Sequence, residues 1–258
     1  MLSISRLSQT LAEMTGNTVP RLKIVVPYRM REKQLRRFLP HIRDYFASSG
    51  IPYHLVIAEQ AEGLPFNRGA MKNIGYELGA ASDYTCFHDV DYLPLEADYS
   101  WSDVPAGLVW AGAESIPIKT QGLTQYIKPN MPQFFGGAVL MPNALFERVD
   151  GYSNLYWGWG YEDTDLISRF QAADIACTRR RGSFRPLHHD SDGYEADGNL
   201  NPDGARNRAL YMEKWRPGGT PEKDGLSALS YEIVSREVLD GQANWEKITV
   251  RPAVIGLP

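Results

Sequence analysis

Residues 22–28 read LKIVVPY. The run is apolar and β-branched at its centre, which makes it a buried strand, closed at Pro27. The next stretch, REKQLRRFLPHIRDYFASSG, carries Leu35, Phe38, Leu39, Ile42 and Phe46 at helical spacing. Pro40 falls inside that helix and is expected to kink it, and Gly50 is expected to cap its end. Tyr53 to Ala58, YHLVIA, gives a second strand, Asn67 to Ala81 a second helix, and Tyr84 to His88 a third strand. Strand, helix, strand, helix, strand implies right-handed crossovers and a mainly parallel sheet flanked by helices.

In such sheets ligands bind beyond the carboxyl ends of the strands. Three segments rich in functional side chains fall there: PYRMR at 27–31, EQAEGLPFNR at 59–68 and HDVD at 88–91. In HDVD, alternation points Asp89 and Asp91 the same way. Such a pair suits a hard divalent cation and, through it, a diphosphate. Taken alone, D-x-D is weak, because Asp often ends strands. Arg29, Arg31 and Arg68 suit phosphate, and Phe66 offers a ring to stack on a base. For each arginine taken singly, an ordinary surface ion pair is the better account.

The second half is less regular. FFGGAVLMP, from Phe134, reads as strand, Asn143 to Val149 as a short helix, and Asp163 to Ala173 as a longer one with Leu166, Ile167 and Phe170 inward. LSYEIVSREV and WEKITVRP alternate like two strands. Residues 190–208 are rich in Asp, Gly and Asn and predict a mobile loop. Leu7, Leu11 and Met14 predict a short helix in an N-terminal extension over 1–20. With no linker visible, residues 1–258 are expected to form one domain.

Composition narrows the functions. A net charge of −4 argues against nucleic acid as the main partner. Arg179, Arg180 and Arg181 are read as a solvated face. The two cysteines, Cys86 and Cys177, show no zinc spacing and fit a reducing compartment. No apolar run is long enough to span a membrane, and the N-terminus has no signal-peptide core, so a cytoplasmic protein is expected, with peripheral membrane association open.

Residues 156–165 read YWGWGYEDTD. Glu162 and Asp163 suit the positive end of a helix dipole, which is a sufficient structural reading of the acids. It does not explain two glycines alternating with two tryptophans. Glycine there permits unusual backbone angles and close approach of a ligand. An aromatic ring beside a carboxylate is a common sugar-site pairing. His188 and His189, in FRPLHHD, form either a metal-directed pair or a hydrogen-bonded one, and spacing alone favours the second.

Together these segments resemble the β-1,4-galactosyltransferases, from about Lys23 to the C-terminus. VVPYRMR is similar to the family's nucleotide-binding strand end, and FNRGAMKNIGYE to its F-N-R-A-x-x-x-N-x-G-F segment. TCFHDVDYLPL is similar to its D-V-D metal motif, FFGG to its F-G-G or V-G-G segment, and LYWGWGYEDTDLISRF to its W-G-W-G-x-E-D-D motif. The late DGLSALSYEI also matches. HDVDYLPL and FRPLHHD are most similar to the branch that galactosylates xylose on proteoglycans.

The resemblance implies a GT-A, Rossmann-like fold and an inverting transferase that uses UDP-galactose and Mn²⁺. It implies Asp91 as a metal ligand and Asp89 as a donor-sugar contact. Pro27, Tyr28, Arg29, Arg31, Phe66, Arg68 and Val90 would line the nucleotide pocket. Trp159 would close over the donor, Asp163 would be the general base, and Glu162 would help position donor and acceptor. Trp157, Gly158, Glu162, Asp163 and Thr164 would form the acceptor side. Lid closure by the Trp159 loop and residues 190–208 would exclude water.

Departures from the pattern are informative. The family's first histidine of His-x-His is Pro186 here. His188 is the ungapped match for the second, while His189 sits directly before Asp190, as the family's ligand sits before Asp or Ser. Thr164 replaces an acidic residue used on the acceptor, so the acceptor is expected to differ. Phe134 stands at the donor-selecting tyrosine. Its bulk favours galactose, and its missing hydroxyl leaves N-acetylgalactosamine open. The animal enzymes carry a membrane anchor and disulfides, and this chain shows neither pattern, which suggests a bacterial enzyme building a surface glycan. The alternatives are a UDP-GalNAc or UDP-glucose transferase of capsule synthesis and a non-catalytic nucleotide-sugar-binding module.

Overall fold

The computed structural model describes residues 19–109, 135–180, 182–187, 201–218 and 223–255. LKIVVPY is strand β1 (Leu22–Tyr28), and all seven of its residues are buried. It pairs in parallel with β2 (Tyr53–Gln60) on one side and β3 (Tyr84–His88) on the other. Leu22, Ile24, Val26 and Tyr28 pack with Leu35, Phe38, Ile42 and Phe46 of helix α1 (Glu32–Phe46). Val25 turns to the opposite face, into a second core with Phe87, Phe146, Leu166 and Phe170. This alternation covers both faces of the sheet with helices, as an α/β architecture requires.

Helix α2 (Arg68–Leu78) crosses from β2 to β3, and its Met71 and Ile74 pack on Val56 and Ala58. After β3, strand β4 (Tyr92–Ala97) leaves the main sheet. The main sheet is extended past β3 by β5 (Ala106–Gly107), β6 (Ala138–Pro142) and β7 (Thr178–Arg179). β4 instead pairs antiparallel with β8 (Gly182–Pro186). On the other side β10 (Trp245–Pro252) runs parallel to β2, and β9 (Tyr231–Val238) is the antiparallel edge. The eight-stranded order is β7-β5-β6-β3-β1-β2-β10-β9, parallel at its centre.

Helices α3 (Asn143–Arg148), α4 (Glu162–Ala172) and α5 (Pro202–Lys214) complete the described elements, with a short 3-10 turn at Leu226–Ala228. Three expectations need correction. The helix over 32–46 ends at an Ala47 cap, and Gly50, with φ 69, belongs to the turn beyond it. The strand expected from Phe134 begins only at Ala138, because Gly137 has φ 74 and turns the chain. The loop expected through 208 gives way to helix from Pro202, started by the Asn201 side chain accepting from Gly204 N at 2.8 Å. Residues 190–200 and nearly all of the expected extension over 1–20 lie outside the described residues. Among those described, no helix is long and apolar enough to cross a membrane.

Candidate active site

The site is built where helix α2 meets the segment leading into α4. Asn67 is fully buried and caps α2 by accepting from Ala70 N at 2.9 Å. Its amide also donates to Asn154 O at 2.7 Å. One turn and a half later, Asn73 holds both backbone groups of Tyr152, donating to the carbonyl at 2.8 Å and accepting from the nitrogen at 2.9 Å. Gly69 makes this proximity possible: a Cβ there would stand 2.5 Å from Ser153 O. Gly158 N donates to Phe66 O at 2.8 Å. The F-N-R segment and the Y-W-G-W-G turn are thereby joined by their backbones.

That junction brings the charged side chains together. Arg68 donates through Nη1 to Asp89 Oδ2 at 3.0 Å and through Nη2 to Asp163 Oδ2 at 2.9 Å. It also pairs with Glu162. Lys72, one turn along α2, donates to Asp163 Oδ1 at 2.7 Å. Glu162 and Asp163 open α4, where the helix dipole favours negative charge. Burial works to raise the Asp163 carboxyl, but Lys72 and Arg68 outweigh it and hold the group below the ordinary carboxylate range. Burial disfavours the Arg68 charge, and Asp89, Glu162 and Asp163 together keep it cationic.

Asp89 behaves differently. Burial pushes its carboxyl up to about 6, against the opposing pull of Arg68 and Lys72. Its backbone is fixed by Asp89 N donating to Gly137 O at 2.7 Å, which is how the F-F-G-G segment reaches this site. Asp91 follows the buried Val90, and its carbonyl accepts from Leu187 N at 2.6 Å. Leu187 is thus tied beside Asp91. His188 and His189 themselves, and Phe134, lie outside the described residues. No group of three metal-ligating side chains occurs among the described residues. The chemistry still fits a divalent cation, because Asp89 and Asp91 close the D-V-D turn with hard oxygen donors, and Asp89 shares the one arginine Arg68 with Glu162 and Asp163.

The other expected residues separate into groups. Pro27 and Tyr28 are buried at the end of β1, with the Tyr28 hydroxyl donating to Glu32 Oε1 at 2.5 Å. Arg29 donates to Leu64 O. Arg31 lines a cleft of about 850 Å³ with Glu59, Gln60 and Thr249, over the ends of β1, β2 and β10. Phe66 is half-buried on the core formed by α2 and β10. Thr164 sits half-buried in the first turn of α4. Trp157 requires a correction. Its side chain is 1% exposed and its indole donates to Ile255 O at 2.7 Å, so the ring is a core strut with no face for an acceptor.

Trp159 is half-buried between Gly158, with φ 76, and Gly160, with φ 90. Helix α5 braces this turn. The fully buried Asn207 donates to the carbonyls of Trp157 and Trp159 at 3.0 Å each and of Gly160 at 3.2 Å. Asp203 packs so closely that a Cβ on Gly158 would stand 2.1 Å from its Oδ2. The far end of α5 is fixed by Lys214, which reaches Asp165 Oδ2 at 2.9 Å and Asp224 Oδ2 at 2.7 Å. Arg169 pairs with the same two acids. Sequence reasoning missed Lys72, Asn73, Tyr152, Asn207 and this buried quartet. For Lys72 alone a local sign existed: it stands four residues after Arg68, on the same helical face.

Two family models match the chain: "N-terminal region of glycosyl transferase group 7" over residues 13–102, and "N-terminal domain of galactosyltransferase" over residues 123–190. Human beta-1,4-galactosyltransferase 4 is 33% identical over 84% of this chain and 60% of its own length. Drosophila melanogaster beta-1,4-galactosyltransferase 7 is 31% identical over 64% of this chain and 49% of its own. The chain thus spans about half to six-tenths of the length of these relatives. The solved catalytic domain of Drosophila beta-1,4-galactosyltransferase 7, in complex with xylobiose, superposes with TM-score 0.70 at 25% identity, covering 92% of this chain and 96% of that one. A mutant of that enzyme has been solved with manganese, UDP-Gal and xylobiose. These relatives come from animals and lend the expected bacterial source no support.

Proposed function

The chain belongs to the β-1,4-galactosyltransferase family, and from that membership we propose that it transfers galactose from UDP-galactose to a sugar hydroxyl of a glycan acceptor. The observation that carries this reading is Arg68, which joins Asp89 of the D-V-D turn to Glu162 and Asp163 of the aromatic-acidic turn. A nucleotide-sugar motif and an acid-base motif thereby share one site. A binding module has no use for a buried carboxylate held ionised beside the donor motif.

Asp163 is assigned as general base. It takes the proton of the acceptor hydroxyl as that oxygen forms a bond to the anomeric carbon. The bond from that carbon to the UDP oxygen breaks, and UDP leaves with its electron pair. Arg68 keeps Asp163 ionised while orienting Asp89 toward the donor. Asp91, with Asp89 beside it and His188 or His189 following Leu187, would hold Mn²⁺, which when bound neutralises charge on the departing diphosphate. Trp159, braced by Asn207, covers the donor and excludes water. Xylobiose on the Drosophila neighbour makes β-xylosides the first acceptors to try, and Thr164 is where acceptor preference is expected to diverge.

The test is a panel of UDP-galactose, UDP-N-acetylgalactosamine and UDP-glucose with Mn²⁺, following UDP release with and without β-xylosides. Acceptor-dependent release from UDP-galactose is expected. Release from another donor alone would overturn the donor assignment, and binding without release from any donor would favour a non-catalytic module.

A further inference from the structure

We propose that Lys72 is a positioning residue for this reaction, clamping Oδ1 of Asp163 from beneath while Arg68 holds Oδ2, so that the carboxylate has one orientation. The inference rests on the reading of Asp163 as the base. Lys72 Nζ lies 2.7 Å from Asp163 Oδ1 and 4.0 Å from Glu162 Oε1, and its side chain is 3% exposed. The ring of Tyr152 lies 4.3 Å from the ammonium. Tyr152 is fully buried, and its hydroxyl is without a hydrogen-bond partner among the described residues. A buried ammonium in such surroundings is costly to desolvate, and its pairing with Asp163 offsets that cost. A ring below and carboxylates above leave its ammonium one direction in which to act.

The arrangement also divides labour between two cations on one helix face. Arg68 serves Asp89, Glu162 and Asp163 at once, so its hold on Asp163 is shared. Lys72 has a short contact with Asp163 alone. Around Asp163 the charged and titratable groups are Arg68 and Lys72 from α2, Asp89 from the end of β3, Tyr92 from β4, Tyr152 from the preceding segment and Glu162 from its own helix. Of the two cations, Arg68 hydrogen-bonds Asp89 directly, whereas Lys72 acts on it only through its charge.

The experiment compares wild type with Lys72→Met, Lys72→Gln and Lys72→Arg. Two readouts are used: the pH profile of kcat, and the titration of ¹³C-labelled aspartate carboxyls in the donor-free protein, with Asp163→Asn identifying the resonance. In Lys72→Met and Lys72→Gln the Asp163 midpoint should rise by roughly one pH unit or more. The acid limb of the kcat profile should move up by the same amount, with donor KM within about twofold. Lys72→Arg should restore both. An unmoved carboxyl midpoint with an unchanged kcat profile in either folded neutral variant would overturn the proposal. Wild-type protein that releases no UDP would instead overturn the galactosyltransfer reading, and the carboxyl titration would still decide the clamp.

Discussion

The side-chain amide of Asn207 donates to the backbone carbonyl of Trp159 across 3.0 Å, and so ties helix α5 to the turn that leads into Asp163. The same amide serves Trp157 and Gly160. Asn207→Ala removes the amide that serves the Trp159 and Gly160 carbonyls and leaves Trp157 O to Arg206, and should lower unfolding free energy by about 1–3 kcal/mol. Asn207→Asp should be worse, because a carboxylate would face carbonyl oxygens. Urea denaturation followed by tryptophan fluorescence measures both, and a smaller loss in the Asp variant would contradict this geometry.

Asp163→Asn keeps the shape of the base and removes its proton affinity. Transfer should fall by about 10²–10⁴ in kcat/KM, the usual worth of a positioned general base. Affinity for UDP with Mn²⁺, read by calorimetry, should stay within about twofold. Full activity in this variant would sink the base assignment.

Arg68→Lys exchanges a planar fork that reaches three acids for a single ammonium. Because Arg68 is 30% exposed, solvent screening limits the stability loss to about 1–2 kcal/mol. The loss of transfer should be larger, because Asp89 and Asp163 would no longer be held by one group. Comparing thermal unfolding with kcat/KM separates the two effects, and a stability loss with unchanged kinetics would count against the shared-anchor role.

His88 is fully buried between Tyr99 Oη and the carbonyl of Asp89, each 2.9 Å from a ring nitrogen. Burial depresses its pKa from 6.5 to about 4. Between those values the unfolded chain binds the proton and the folded one does not, so stability falls as pH drops from about 6.5 to 4. The contribution is about 3 kcal/mol at most. Denaturant midpoints across that range should slope less steeply in His88→Gln than in wild type, and identical slopes would exclude the effect.

The sheet and its helices were legible because their signals are local. LKIVVPY, YHLVIA and the period of Leu35, Phe38 and Ile42 needed no distant partner to be read, and burial follows throughout the first, over Leu55–Ala58 of the second and at the three helix positions. The motifs also placed Arg68, Asp89, Glu162 and Asp163 on one site, where the structure has them. Helix α5 escaped because its buried face is polar: Asn207 and Lys214 pack through hydrogen bonds and charge, which apolar periodicity cannot register. Trp157 misled for a related reason. A tryptophan beside an acidic turn reads as a sugar platform until its indole is seen donating to Ile255 O. Lys72 has its partner 91 residues away, so its spacing from Arg68 marks the face they share but not the acid it meets.

Gly69 and Ser153 meet with no side chain between them, and the contacts that join helix α2 to the acidic turn cross a similar span of chain. Asn67 reaches Asn154 over 87 residues, and Arg68 reaches Glu162 over 94. Such closures are entropically late events, reached after helices and neighbouring strands have formed. A chain with α1, α2 and the first three strands in place would still have its arginine, lysine and asparagines facing water. During refolding, then, catalytic competence should trail the return of secondary structure, and a fragment ending before Tyr152 would keep Arg68 and Asp89 yet lack the acids to which Arg68 joins Asp89.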